Sequence, residues 1–450
     1  MIFPSSALAL LLCLTPRAAA AEAPPTQPDA AGTPAPNAAA LAEVRQSSAA
    51  LHVRSLPTTD APIIGLIAPN EPFQVLMRVD GKGCGTSSWG MLERGFACLA
   101  TTAVVEPGVA PAHLPRLVTF DPPLPDEYRS YLRNGTWPRD PATSEAMLPF
   151  VYGKAWRQWK GTNYASLAAW EAGDPPVATL DTDRKYHFVG EVEAVRGAVL
   201  VRDDGRVVPV ADAFIYPVSR FHGVELTGAG ALQPGEIQAW VYTYGGANVR
   251  DAPGPGGAVG LLLPQQAALR VLATPDPHWL EVPNALGPGV PGYVSAGLVR
   301  LANPSPAPPG VAPGSLWVDV DTSQQVVMLM QGDVPVYATL VSTGLDTKDT
   351  PAGTYQLLDK TIYGDMESLP GAVEEYHVEG VPWVMHFRPR YAMHGVFWHW
   401  GFGNKASHGC VNLAPLDARR IFDAMSPELP DGWSSVIATP DHPGTTVRIR

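Results

Sequence analysis

Charge is scarce in this chain: Asp, Glu, Lys and Arg together make up 16% of its 450 residues. The basic sign is the scarcer, with 31 Lys and Arg against 43 Asp and Glu, and a formal net charge of -12 offers no basic field. Nucleic acid is excluded as a partner on that ground. Beyond the N-terminus no apolar run reaches the roughly 18 residues that a membrane helix needs, which excludes a polytopic membrane protein and any integral span in the mature chain. Cysteine is nearly absent, with four residues. Gly (43) and Pro (48) are abundant, together more than a fifth of the chain, alongside 46% hydrophobic residues. That hydrophobic share excludes global disorder, and the Gly and Pro favour β-rich domains on stiff linkers over a helical bundle. The length implies several domains.

The N-terminus has the form of an export signal. Residues 7–14 form a short apolar run, Pro16 follows, and residues 18–21 are all Ala, so cleavage after Ala20 or Ala21 satisfies the small-x-small rule. No Lys or Arg precedes the run, and an uncleaved anchor is the alternative. With 1–21 as a signal peptide, the expected location is the periplasm or cell envelope. Cys13 leaves with the signal, and Cys84, Cys98 and Cys410 remain. In an oxidising compartment near neighbours tend to pair. A Cys84–Cys98 bridge would contribute roughly 3 kcal/mol in the chain-entropy model. Cys410 is then the odd thiol, and an unpaired cysteine in an exported protein calls for a reason.

Three Ala/Pro-rich stretches, 22–46, 106–116 and 302–314, act as linkers. They divide the chain into a first small domain (47–106), a middle module (117–246), a second small domain (247–301) and a C-terminal domain (315–450). The two small domains repeat each other. Val53-Arg54 matches Val249-Arg250, Pro57 matches Pro253, Gly65-Leu66 matches Gly260-Leu261 and Pro69 matches Pro264. Further on, Trp89 matches Trp279, and Gly95-Phe96-Ala97 matches Gly292-Tyr293-Val294. Each unit is a series of short apolar runs between Gly and Pro, as a small barrel requires. In the middle module residues 155–172 suit a helix, residues 185–210 alternate apolar and polar, and Asp204-Gly205 fits a two-residue hairpin turn. A mixed, β-rich module is expected there.

In the C-terminal domain residues 316–320 and 326–330 flank a polar turn, a hairpin pattern. Residues 350–354 form a turn before a strand at 355–358. One helix stands out: Ala418, Ile421, Phe422 and Met425 fall at i, i+3, i+4 and i+7, with Pro415 in the first turn. Residues 359–382 carry little apolar periodicity and are expected to form a lid over a cleft, with a solvated surface loop as the alternative. The fold class is therefore mainly β and multidomain: two small barrels, a mixed β-rich middle module and a β-rich C-terminal domain with one late helix.

Six of the eleven His lie in this last domain, densest around Met393-His394-Gly395 and Ser407-His408-Gly409-Cys410-Val411-Asn412. A cysteine with histidines nearby is the minimal kit for thiolate catalysis, because imidazole can take the thiol proton and return it to a leaving amine. Gly409 lets the backbone approach a substrate carbonyl. The turn before the helix would aim N–H groups at a developing oxyanion. On the residues alone two other fates stay open. One is a buried structural cysteine. The other is a metal site of His394, His399, His408 and Cys410, although no Cys-x-x-Cys or His-Glu-x-x-His is present.

Ser-His-Gly-Cys-Val-Asn at 407–412, with His394-Gly395 upstream, resembles the signature of the L,D-transpeptidase (YkuD-type) family. The resemblance runs over 315–450 and includes Val-Ser-Thr-Gly at 341–344, Thr-Pro-x-Gly at 350–353 and residues 383–385. The repeated small domains resemble bacterial SH3 domains, which suit a family that acts on cell-wall peptides. The resemblance implies Cys410 as nucleophile, His394 as general base and the Gly395 carbonyl as the group that orients it. His408 and Gly409 would shape the oxyanion hole with the Cys410 N–H, and Ser407 and Asn412 would flank it. Many members carry Arg where Asn412 stands, which leaves catalysis intact. Trp383, Met385 and Trp398 are candidate cleft residues, with packing the other use of Trp398; His399 falls outside the motif and is expected to matter little. No metal or cofactor is implied. The implied partners are peptidoglycan stem peptides, with cell-wall glycan or peptide at the SH3-like domains. The implied reaction is cross-linking through a cysteinyl acyl-enzyme with release of D-Ala. A carboxypeptidase, a 3→3 cross-link hydrolase and a non-catalytic wall-binding protein are the alternatives.

Overall fold

The computed structural model describes residues 43–69, 71–105, 148–155, 161–368, 375–430 and 432–450. The signal peptide expected at 1–21, most of the linker expected at 22–46, the linker expected at 106–116 and the first part of the middle module, 117–147, lie outside them. Strands dominate, with two α-helices among the described residues.

The C-terminal segment starts from a hairpin whose turn is made locally. Leu316–Asp321 and Val326–Gln331 pair antiparallel, from Leu316 opposite Gln331 to Asp321 opposite Val326. The Ser323 and Gln324 amides donate to Asp321 Oδ1, and Gln325 takes the left-handed conformation (φ 52°). Neither strand alternates cleanly, because both faces are covered. Val318, Val320, Val327 and Leu329 enter one core; Trp317, Val326, Met328 and Met330 enter another, shared with Leu226 and Trp240.

From this hairpin the sheet grows inward. Val334–Ser342 pairs with Val326–Gln331 on one side and with Val411–Leu413 on the other. Val411–Leu413 runs parallel to Tyr391–Gly395. Beyond it come His377–Arg388, Asp359–Glu367 and Trp433–Ile437, each antiparallel to the last. The strand carrying His394 and the strand that follows Cys410 are therefore neighbours at the centre of the sheet. The expected late helix is Pro415–Ala424, with Pro in its first turn. Lys360, buried beneath it, donates to the Phe422 and Met425 carbonyls at 2.8 and 2.7 Å, and burial lowers its pKa to about 8. These bonds satisfy carbonyls that a helix end leaves without partners.

Several expectations need correction. Of residues 359–382, 369–374 lie outside the described residues, and 359–367 and 377–382 are not loop: they belong to Asp359–Glu367 and His377–Arg388, which pair antiparallel. Residues 43–46, expected in a linker, lie in strand Glu43–Ser47. The stretch 302–314 is tied down, since the Asn303 and Pro306 carbonyls accept from Arg450 and Arg448. Of the helix expected at 155–172, residues 156–160 lie outside the described residues, 161–166 are not helical, and Leu167–Ala172 is a helix capped by the Ser166 side chain and by Gly173 at φ 79°. Asp204-Gly205 belongs to a three-residue loop: the Gly205 amide donates to Arg202 O, the Arg202 amide to Arg206 O, and Gly205 is left-handed (φ 82°).

The sequence repeat is also a repeat of geometry. Leu51–Arg54 pairs with Ile63–Ile67 with a bulge between Val53 and Arg54, and Ala247–Arg250 pairs with Val259–Leu263 with a bulge between Val249 and Arg250. The arginine at each bulge reaches the same kind of partner: Arg54 donates to Ala61 O and Arg250 to Gly257 O, at 2.6 and 2.5 Å. Ile63–Ile67 also pairs with Trp433–Ile437 and so extends the C-terminal sheet. Arg184–Phe188 of the middle module runs parallel to the start of His377–Arg388. A single core there joins Leu148, Tyr152 and Val199 to Val378, Val384 and Phe397.

Candidate active site

The parallel pairing of the two central strands builds the site. Met393 lies opposite Val411, His394 opposite Asn412 and Gly395 opposite Leu413. His394 and Cys410 both line one cleft of about 490 Å³. His394 Nδ1 lies 3.1 Å from the Gly395 carbonyl, to which it donates, and this leaves Nε2 as the basic nitrogen. Burial pushes the imidazole pKa down to about 4, against the upward pull of the Gly395 bond. Cys410 is the only free cysteine among the described residues, because Cys84 and Cys98 are bonded to each other. Burial pushes its thiol pKa above the usual range, against the downward effect of the Ala392 backbone hydrogen bond. Burial thus favours the uncharged form of both the thiol and the imidazole.

The loop before Cys410 is locked by its own residues. Ser407 Oγ donates to the Cys410 carbonyl at 2.5 Å and accepts from the Gly409 amide at 3.1 Å. The Ser407 amide and carbonyl are both held, by Thr343 O and the Leu345 amide. Gly409 has φ 119°, and a Cβ there would stand 2.7 Å from Tyr391 Cε1, so no other residue fits without displacing that ring. The Gly409 amide is already spent on Ser407. Nor does the helix reach the thiol: strand Val411–Leu413 intervenes before Pro415. His408 is exposed, with its ring 5.3 Å from that of Tyr376.

Two expected cleft residues are elsewhere. Trp383 and Met385 are fully buried in the core beneath the late helix, Trp383 5.5 Å from the Phe422 ring. Trp383, Met385 and Phe387 share one face of their strand and point to that core, while Val384 points to the opposite one. Trp398 does line the cleft, tilted against His394 at 6.0 Å. Among the described residues, the segment 359–382 expected as a lid reaches the cleft through Met366, Ser368, Tyr376 and Val378. Tyr376 lies close enough to the thiol that burial and then Cys410 raise its pKa, while Arg390 lowers it.

His399, outside the expected motif, is part of the site's support. Asn412 Nδ2 donates to His399 Nε2 at 2.9 Å, and burial lowers the His399 pKa to about 4. Sequence reasoning also missed Arg390, Tyr391 and Tyr376, which stand close to the motif along the chain, and Lys185, for which no sequence signal exists. Among the described residues no three His, Cys, Asp or Glu side chains converge as a metal site.

The fold and site define a mainly β, multidomain protein whose C-terminal sheet carries a Cys/His cleft. Residues 315–449 match the YkuD family, described as L,D-transpeptidase catalytic domain, and the chain carries that domain. The YciB protein of Bacillus subtilis (strain 168) is 29% identical over 134 residues, which is 26% of this chain and 63% of that protein's length. Among solved structures, the catalytic domain of the Enterococcus faecium L,D-transpeptidase is 19% identical, covering 30% of this chain and 98% of its own, with a TM-score of 0.24. L,D-transpeptidase 3 of Mycobacterium tuberculosis is 17% identical, covering 37% and 76%, with a TM-score of 0.25.

Proposed function

We propose that the chain is an exported peptidoglycan L,D-transpeptidase that works through a Cys410 acyl-enzyme. The observation that carries this reading is that a free thiol and a buried, singly oriented imidazole line one cleft. His394 Nε2 takes the Cys410 proton as sulfur attacks the carbonyl joining the third residue of a stem peptide to its D-Ala. The oxyanion is stabilised by the Cys410 N–H. The C–N bond breaks, His394 returns the proton to the D-Ala amine, and a thioester remains. The amine of a second stem then attacks, its proton passes to His394, and the C–S bond breaks to restore the thiol. The small repeated units act as SH3-like modules that hold wall glycan or peptide, and residues 1–21 direct export to the periplasm or cell envelope.

The test is intact-protein mass spectrometry with a stem tetrapeptide, with and without an acceptor amine. The expected result is a Cys410-linked acyl adduct, released D-Ala, and a cross-linked product only with the acceptor. Hydrolysed stem alone, even with acceptor present, would mark a carboxypeptidase. No adduct and no D-Ala would overturn the enzymatic reading.

A further inference from the structure

The cleft carries charge of one sign. Lys185, Lys348 and Arg390 line it, and among the described residues no Asp or Glu does. Such a wall suits a ligand bearing carboxylates. Lys185 differs from the other two in origin, because it lies outside the matched segment 315–449 and comes from the middle module. Its position is built by the fold. Lys185 sits opposite Val378, itself a cleft residue, where the two strands run parallel. The preceding residue, Arg184, is 2.6 Å from Glu379 Oε1, and Arg202 joins the same carboxylate at 3.3 Å. Glu379 is buried, and breaking one arm of a buried ion pair is costly, so this strand is held firmly. Lys185 Nζ lies 5.9 Å from the Trp398 ring centroid, and the Trp398 ring lies 6.0 Å from that of His394. Burial and then the charge of Lys154 lower the Lys185 pKa, partly offset by Asp183. An arriving anion would relieve both effects.

We propose that Lys185 is a specificity residue that binds the C-terminal carboxylate of the donor stem. The inference rests on the transpeptidase reading above. His394 hands its proton to the leaving D-Ala amine, so the leaving residue lies on the His394 side of the thiol. The carbon bonded to that amine also bears the carboxylate, and Lys185 is the cation reached from His394 across Trp398. A middle module thus completes the substrate site of the catalytic domain.

The test uses the full chain with Cys410→Ser, to prevent turnover, and calorimetry with two tetrapeptides: a free C-terminal acid and its carboxamide. The acid is expected to bind roughly 10- to 100-fold more tightly, the range for a charge-assisted hydrogen bond. Adding Lys185→Met should remove that preference and leave carboxamide binding unchanged, while Lys185→Arg should keep most of it. Equal loss for both peptides, no loss for either, or no binding of either peptide would overturn the proposal. D-Ala release by the wild-type protein is scored separately. Release without acid preference leaves the transpeptidase reading standing and removes Lys185 from it; preference without release does the reverse.

Discussion

The ionisation state of the Cys/His pair gives the sharpest test of the site. Burial holds the Cys410 thiol above its ordinary 9.0 and the His394 imidazole near 4. The His394 shift alone, from 6.5 to about 4, makes moving the thiol proton to the imidazole about 3 kcal/mol harder, and the raised thiol adds to that cost. At neutral pH burial therefore favours the protonated thiol. Cys84 and Cys98 are bonded, so in protein prepared without residues 1–21, and hence without Cys13, an alkylating agent reads Cys410 alone. The rate of carbamidomethylation by iodoacetamide should rise with a single inflection on the alkaline side of an ordinary thiol. His394→Ala should leave that profile nearly unchanged, because the imidazole does not ionise the thiol at rest. The same variant should lower turnover by about 10²–10⁴-fold, the range for general-base assistance. The two measurements thus separate a base that acts during attack from one that has already acted. An alkylation plateau below pH 7 that disappears in His394→Ala would refute the argument, since it would reveal a preformed thiolate–imidazolium pair.

Further outcomes concern support for the site. Gly409→Ala should cost about 1–3 kcal/mol of stability through backbone strain and push the Tyr391 ring aside, seen as a lower melting temperature and slower D-Ala release; an unchanged melting temperature would count against the strain. Asp417 accepts from the Gly223 amide and from the Tyr337 and Thr339 hydroxyls at 2.7, 2.5 and 2.5 Å. Asp417→Ala should therefore cost about 3–5 kcal/mol in denaturant titration, with about 1 kcal/mol for Asp417→Asn, which keeps Oδ1; equal costs would contradict this account. His399→Ala deprives Asn412 of its acceptor and should slow turnover several-fold, and His399→Gln should restore it. Loss of stability is expected as pH falls from 6.5 towards 4. The unfolded chain then protonates its histidines while folded His394 and His399 stay neutral, about 3 kcal/mol each. Asp417, raised to about 6, works the other way by about 3 kcal/mol, so the net loss is about 3 kcal/mol. A flat stability profile across that range would show that these shifts are absent.

Local patterns carried far in the sequence. The hairpin of Leu316–Asp321 and Val326–Gln331 and the helix Pro415–Ala424 depend on turn chemistry, apolar runs and a helical period, all written within a few residues. The order His394-Gly395, then Ser407 to Asn412, is also local, and so is the repeated Val-Arg bulge. Side-chain direction is decided by pairing that spans the chain. Trp383 and Met385 looked like cleft residues because they precede His394. Strand parity and the helix above them turned both inward, because alternate residues of a strand face opposite ways. The bond from Asn412 to His399 and the placement of Lys185 beside Val378 arise only when distant strands come together. Composition and motif thus determined that this is a β-rich chain with a Cys/His signature. The assembled sheet decided which neighbours surround that signature, because hydrogen-bonded register, and not distance along the chain, sets which side chains share a face.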